Sequence, residues 1–279
     1  MKFGICPLSV VPIRAAASDN SELCTQLLFG ETFEVLETKG KRWLKVRCQA
    51  DNYIGWVRRH QVCPITPSEF QRFKAQFAYC LDLVQNITSN HQTVPITFGA
   101  RLSDFDGKHF RLEDQTLAFS GQAVAPNTLP VDSQSIRYLA TMFLQAPALA
   151  GGRSPFGIDS AGLVQLSYQI IGIMLPREAQ QQVMFGDLID FIEEAQEGDL
   201  AFFERKNGKV HHVGIIFPDQ QILHVDGCVR LDRLDHYGIY QTTSGQYSHR
   251  LRVIRRILKS TIEKPTRIIQ ENIGEFVTL

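Results

Sequence analysis

The chain has 279 residues, 44% of them hydrophobic, and its 29 basic side chains are balanced by 29 acidic ones. That length holds two or three compact domains. The balance excludes the basic field that draws proteins to nucleic acid or to anionic membrane surfaces, so no nucleic-acid partner is expected. No stretch approaches the roughly 18–20 apolar residues of a membrane span.

The first residues, MKFGICPLSVVPIR, lack a sustained apolar run and carry Pro7 and Pro12. This argues against a signal peptide and for a cytoplasmic location; a leader removed upstream would place the protein in the periplasm or cell envelope. The six cysteines, at 6, 24, 48, 63, 80 and 228, form neither a CxxC pair nor a regular framework. They read as reduced thiols.

Residues 1–63 read as all-β. Short alternating runs, Thr32-Phe-Glu-Val-Leu-Glu, Trp43-Leu-Lys-Val-Arg and Tyr53-Ile-Gly-Trp-Val, are separated by polar turns. VPIRAAASDNSELCTQLLFGE followed by WLKVR and YIGWV resembles the bacterial SH3-like domain found beside cell-wall hydrolases, which implies a small β-barrel. Over 64–128 a helix is predicted at 67–85, then short strands at 94–98, 108–112 and 116–119. We expect a second, degenerate SH3-like barrel with a helical insertion there, ending in the linker Ala125-Pro-Asn-Thr-Leu-Pro130.

From Asp132 the periodicity changes. Ser135–Leu144 predicts an amphipathic helix with Ile136, Leu139, Ala140 and Phe143 on one face. A Gly/Pro turn precedes a second helix, Ser160–Ile171, with Gly172 where a C-cap glycine belongs and Leu175-Pro-Arg closing the unit. After Glu197-Gly-Asp the strands 200–203, 213–217, 222–225 and 251–254 follow. The basic run Arg250–Arg256 reads as a terminal strand with a charged outer face, and 259–279 as a polar tail. Helices first and an antiparallel sheet afterwards is an α+β order.

Three segments carry the chemistry: GGRSPFGIDSAGLVQ at Gly151–Gln165, HHVGI at His211–Ile215, and ILHVDG at Ile222–Gly227. A nucleophile in the first turn of a helix gains from the positive end of the macrodipole, and its own N–H is a ready oxyanion donor. A strand histidine can take the proton while a second polar group orients that ring. PFGID-x-x-GLVQ, LPR, EGDLAFF, HVGI and ILH-x-x-G-x-VR follow in an order that resembles the NlpC superfamily of papain-like cell-wall peptidases over 131–258. With an SH3-like domain in front, the likeness is to the γ-D-glutamyl-L-diamino-acid endopeptidases.

The resemblance implies a papain-like domain acting without a cofactor on peptidoglycan stem peptides (muropeptides) that bear a free N-terminal L-Ala. It places Ser160 at the nucleophile position, His212 as base and His224 as the orienting residue. Neighbours on a strand face opposite ways, so only one of His211 and His212 can serve, and the HVGI register selects His212. Asp159, Ala161 and Ala148 fall at substrate-binding positions.

Departures from the family are concentrated at the site. Asp-Cys-Ser-Gly is replaced by Asp159-Ser160-Ala161-Gly162, and Pro-Tyr-Leu-Trp-Gly-Gly by Pro147-Ala148-Leu149-Ala150-Gly151-Gly152. Four positions have therefore lost their functional groups while the scaffold motifs persist. Hydrolysis is expected to be very weak or absent; the alternatives are a non-catalytic peptidoglycan-peptide binder and a serine-dependent acyl hydrolase. His60, His91, His109, His236 and His249 read as ordinary structural histidines. No metal is expected, because no ligand-spaced carboxylate or cysteine cluster accompanies them.

Overall fold

The computed structural model describes residues 1–88, 93–112 and 115–258; the expected tail at 259–279 lies outside the described residues. The chain forms two compact units. The first comprises Met1–Leu129 and Ala146–Asp159, the second Pro130–Gln145 and the chain from Ser160 onward.

The first unit opens with β1 (Phe3–Ile5), β2 (Val10–Arg14), β3 (Leu23–Leu28), β4 (Thr32–Lys39), β5 (Trp43–Cys48), β6 (Ile54–Arg58) and β7 (Cys63–Ile65). They form one antiparallel sheet in the order β3-β2-β6-β5-β4-β1-β7. Alternation drives the packing: Val11 and Ile13 of β2 are buried with Leu27, Phe33, Leu44, Val46 and Val57. None of the six cysteines forms a disulfide. Burial pushes the Cys6 thiol far above its ordinary pKa and that of Cys80 up to about 12, so both behave as small apolar side chains.

Thr66 and Glu69 cap α1 (Pro67–Ala75) reciprocally, with Pro67 in the first turn. The helix expected over 67–85 ends at Ala75. Gln76 is extended, and Phe77-Ala-Tyr-Cys, aromatic and apolar, forms a strand instead. That strand is β8 (Phe77–Cys80), followed by β9 (Val84–Thr88), β10 (Thr93–Thr97), β11 (Arg101–Ser103), β12 (His109–Leu112), β13 (Gln115–Phe119) and β14 (Ala123–Val124). They make two small sheets, β10-β9-β13-β12 and β11-β8-β14. Both cover a cluster that includes Phe29, Ile87, Ile96, Leu102, Phe110 and Phe119.

The chain returns to this unit as a hairpin, β15 (Arg153–Ser154) and β16 (Gly157–Ile158). Domain 131–258 of the sequence reading thus contributes Ala146–Asp159 to the N-terminal unit. Gly151 has φ +76°, and a Cβ there would lie 2.3 Å from the Leu23 carbonyl oxygen, so only glycine fits. Arg153 anchors the hairpin. Its guanidinium donates to both carboxylate oxygens of Glu31, at 3.0 and 3.2 Å, with both side chains almost wholly buried. Its backbone N–H and Nη1 donate to the side-chain and main-chain oxygens of Gln26, each at 2.7 Å.

The second unit opens with α2 (Ser133–Thr141), capped by Asp132, whose Oδ1 accepts from the Ser135 N–H at 2.8 Å. Next come α3 (Ser160–Ile170), α4 (Ala179–Gln182) and β17 (Asp187–Ile189). The strands are β18 (Leu200–Glu204), β19 (Val210–Phe217), β20 (Gln221–Asp226), β21 (Cys228–Leu234), β22 (Gly238–Gln241) and β23 (Gln246–Arg256). Two of them, β21 and β22, were not anticipated from sequence. They matter because β23 pairs with both β18 and β22 and so closes six strands into a ring. Ala201, Phe203, Ile216, Ile222, Leu234, Ile239 and Ile254, drawn from every strand of the ring except β21's N-terminal half, fill its interior.

Every residue of α3 is buried, and the helix packs on β19 and β20. The fold is mixed, with few helices and predominantly antiparallel sheets, as the α+β reading expects. No helix among the described residues is long and apolar enough to cross a membrane.

Candidate functional site

The site is built at one end of the six-stranded ring. His212 stands opposite Phe203 in the β18–β19 register, and strand alternation puts both on the inner face with Ile216. On β20, His224 shares a face with the core residue Ile222; on β21, Asp232 pairs with Ile222 and Arg230 with His224. His212 and Asp232 are buried, and His224 has no exposed surface.

These side chains form a relay. His212 Nε2 lies 3.0 Å from His224 Nδ1, and His224 Nε2 lies 3.0 Å from Asp232 Oδ2. Arg230 forms an ion pair with the same carboxylate, Nε to Oδ2 at 2.8 Å and Nη2 to Oδ1 at 3.0 Å. An ionised carboxylate only accepts, so His224 Nε2 carries a hydrogen and donates it. In the neutral ring Nδ1 then accepts, His212 Nε2 donates to it, and His212 Nδ1 is left with its lone pair. One carboxylate fixes two tautomers and creates a base nitrogen.

Burial pushes His212 well below the ordinary histidine range, and the neighbouring His249, His224 and His211 add to the shift. Burial also lowers His224, with Asp232 pulling in the opposite direction. Both rings are therefore neutral at neutral pH, which the relay requires.

The helix start is equally well held. Ser160 is the first residue of α3 and is buried. The Gln182 amide donates to the carbonyl of Ala161 at 3.0 Å and to that of Pro176 at 2.8 Å. Gln165, from the GLVQ motif, donates to the Leu175 carbonyl of LPR at 3.1 Å. Asp199, from the EGDLAFF motif, pairs with Arg256 at 2.9 and 2.8 Å and ties down the end of β23. Among the described residues no hydrogen bond joins Ser160 to His212; catalytic hydrogen bonds often tighten only when substrate is present.

Asp159 and Ala148 lie in the hairpin of the first unit. Asp159 Oδ2 accepts from the Gly151 N–H at 2.8 Å, and Ala148 bridges to Ile158. Ala161 follows Ser160 in α3.

Sequence reasoning missed Asp232, Arg230 and His249. His249, on β23, stacks face to face on His212, with ring centroids 4.1 Å apart and planes at 23°. Burial, then the charge of His224, pushes its pKa down to about 4. His249, His211, Tyr237 and Tyr247 line an open cleft of about 810 Å³. His60, His109 and His236 take no part in the cluster, and His91 lies outside the described residues.

A closed antiparallel ring, a buried helix opening on the candidate nucleophile position and a strand-borne histidine pair together define a papain-like domain. Residues 147–252 match the NlpC/P60 family, and residues 13–62 match the bacterial dipeptidyl-peptidase SH3 domain. The chain thus carries an SH3-like N-terminal domain followed by an NlpC/P60 domain.

Two curated relatives carry the name γ-D-glutamyl-L-lysine dipeptidyl-peptidase. The Bacillus cereus protein is 26% identical over 236 residues, spanning 73% of this chain and 67% of the relative. The Bacillus subtilis protein is 27% identical over 219 residues, spanning 72% and 71%. A crystal structure of an NlpC/P60 family protein from Bacillus cereus superposes with a TM-score of 0.79 at 21% identity, covering 92% of this chain and all of that one. That likeness is one of fold.

Proposed function

We propose that this chain takes cell-wall stem peptides of the L-Ala-γ-D-Glu-L-diamino-acid type at a papain-like site whose hydrolytic power is very weak or absent. Ser160 stands at the nucleophile position, His212 is the base, and His224 orients it. By motif correspondence Asp159, Ala148 and Ala161 are the positions that meet the peptide's N-terminal end. The observation that carries the reading is the Asp232–His224–His212 relay. A base of fixed tautomer is retained on a strand packed against a helix that begins with an alcohol in place of a thiol.

Calorimetric titration with L-Ala-γ-D-Glu-L-Lys and with its meso-diaminopimelate counterpart, combined with mass spectrometry of the mixtures, tests this directly. Saturable binding with little or no cleavage is expected. Failure to bind either peptide would sink the reading, and rapid turnover through Ser160 would overturn its disabled half.

Asp232 acts through His224 and is a positioning residue. In a Ser160→Cys background, Asp232→Asn is expected to lower kcat by about 10²-fold with KM little changed, since it disturbs tautomer rather than binding. A matching change in KM alone would assign Asp232 to binding instead.

A further inference from the structure

The three inward-facing histidines form a cluster that neither the motif pattern nor the hydrolytic reading uses as a whole. His212, His224 and His249 each present one ring nitrogen, and these nitrogens all lie within 4.8 Å of one another. They come from β19, β20 and β23, and the third is brought in only by closure of the ring.

We propose that His212, His224 and His249 bind a divalent transition metal of borderline softness, of the Zn²⁺ or Co²⁺ type, with Asp232 as the outer partner of His224. Imidazole suits such ions, whereas Mg²⁺ and Ca²⁺ demand oxygen ligands.

The donor set and the spacing of the first two ligands fit such an ion. Zinc–nitrogen bonds of about 2.0–2.1 Å at tetrahedral angles set ligand nitrogens roughly 3.3 Å apart. His212 Nε2 and His224 Nδ1 are already 3.0 Å apart, so that pair need open only slightly. His249 lines the open cleft, and its ring nitrogen lies within 4.8 Å of the other two.

His224 donates its other nitrogen's hydrogen to Asp232, the carboxylate–histidine arrangement that orients metal-bound imidazoles.

Binding has a chemical consequence. With Nε2 of His212 on the metal, its hydrogen moves to Nδ1, and the nitrogen that would accept a nucleophile's proton is capped. Metal binding and base function therefore exclude each other. The binding itself does not rest on the hydrolytic reading, and its test needs no turnover.

The full chain, freed of metal by chelation and dialysed, would be titrated with Zn²⁺ by calorimetry and with Co²⁺ by visible spectroscopy. One equivalent of saturable Zn²⁺ binding is expected, together with intense visible Co²⁺ bands of a four-coordinate site. His249→Ala should weaken binding at least about 10-fold and Asp232→Asn about 10–100-fold, whereas exposed His60→Ala should change nothing. His249 is only half-buried, so its loss should leave the fold intact, with the circular dichroism spectrum as the check. Absence of saturable Zn²⁺ binding, or binding indifferent to His249→Ala, would overturn the proposal.

Discussion

Ser160→Cys is expected to release L-Ala-γ-D-Glu from its L-diamino-acid peptide at least about 10³-fold faster than the chain carrying serine. A free thiol titrates near 8.5, and a helix start and a neighbouring imidazole both lower that value, giving a usable thiolate at neutral pH. An alcohol cannot ionise there and depends on a base aligned throughout proton transfer. In this structure Ser160 and His212 share no hydrogen bond among the described residues, so the alcohol lacks that alignment at rest. A thiolate attacks without it. The rest of the machinery is in place, since Gln182 and Gln165 hold the start of α3 and Asp232 holds both rings. Mass spectrometry of the two proteins on one peptide decides the matter. Cleavage by neither would leave the pure binding module as the better description.

Glu31→Ala is expected to destabilise the first unit by about 3–5 kcal/mol, because it takes from a buried guanidinium the carboxylate that faces it. Burial opposes the Arg153 charge, yet the facing Glu31 carboxylate raises its pKa above the ordinary arginine value. Removing the carboxylate takes away the largest of the contributions that oppose burial, with Asp51 a smaller one. Glu31 also accepts from the Leu28 N–H at 2.9 Å, so the turn after β3 loses an acceptor as well. In thermal unfolding the loss corresponds to roughly 10 °C for a unit of this size. The double change Glu31→Met with Arg153→Met should recover most of it, since a buried ion pair exchanged for apolar residues of similar volume is close to neutral. Equal melting of Glu31→Ala and the unchanged chain would show that the pair contributes nothing.

What could be read from the residues follows a physical rule. Where side chains alternate along a strand, as in Leu44–Val46, the pattern itself records which face is buried, and that strand was legible. His212 and His224 were singled out by the resemblance, through HVGI and ILH-x-x-G, and not by the strand pattern alone. Asp232 was not. It occurs within Val229-Arg-Leu-Asp-Arg-Leu, where charges alternate with apolar residues, and nothing in that run says that here the charged face points inward. His249 was hidden for a different reason. It reaches His212 through the pairing of β23 with β18 and β22, long-range events without a local signature. Arg153 looked like a turn residue between Gly152 and Pro155, and its partner Glu31 lies more than a hundred positions away. The helix expected over 67–85 failed because aromatic residues of β8 found a sheet to join.

The threading of the two units has a consequence for synthesis. The chain crosses between them three times, after Leu129, after Gln145 and after Asp159. A ribosome that has produced the whole N-terminal barrel has therefore not yet produced the hairpin that neutralises Glu31. Until Arg153 emerges, the region near β3 that holds this carboxylate is expected to stay open to water. Co-translational folding of the first unit is thus timed by a residue encoded beyond the first segment of the second. For the same reason, no single proteolytic nick can free either unit whole.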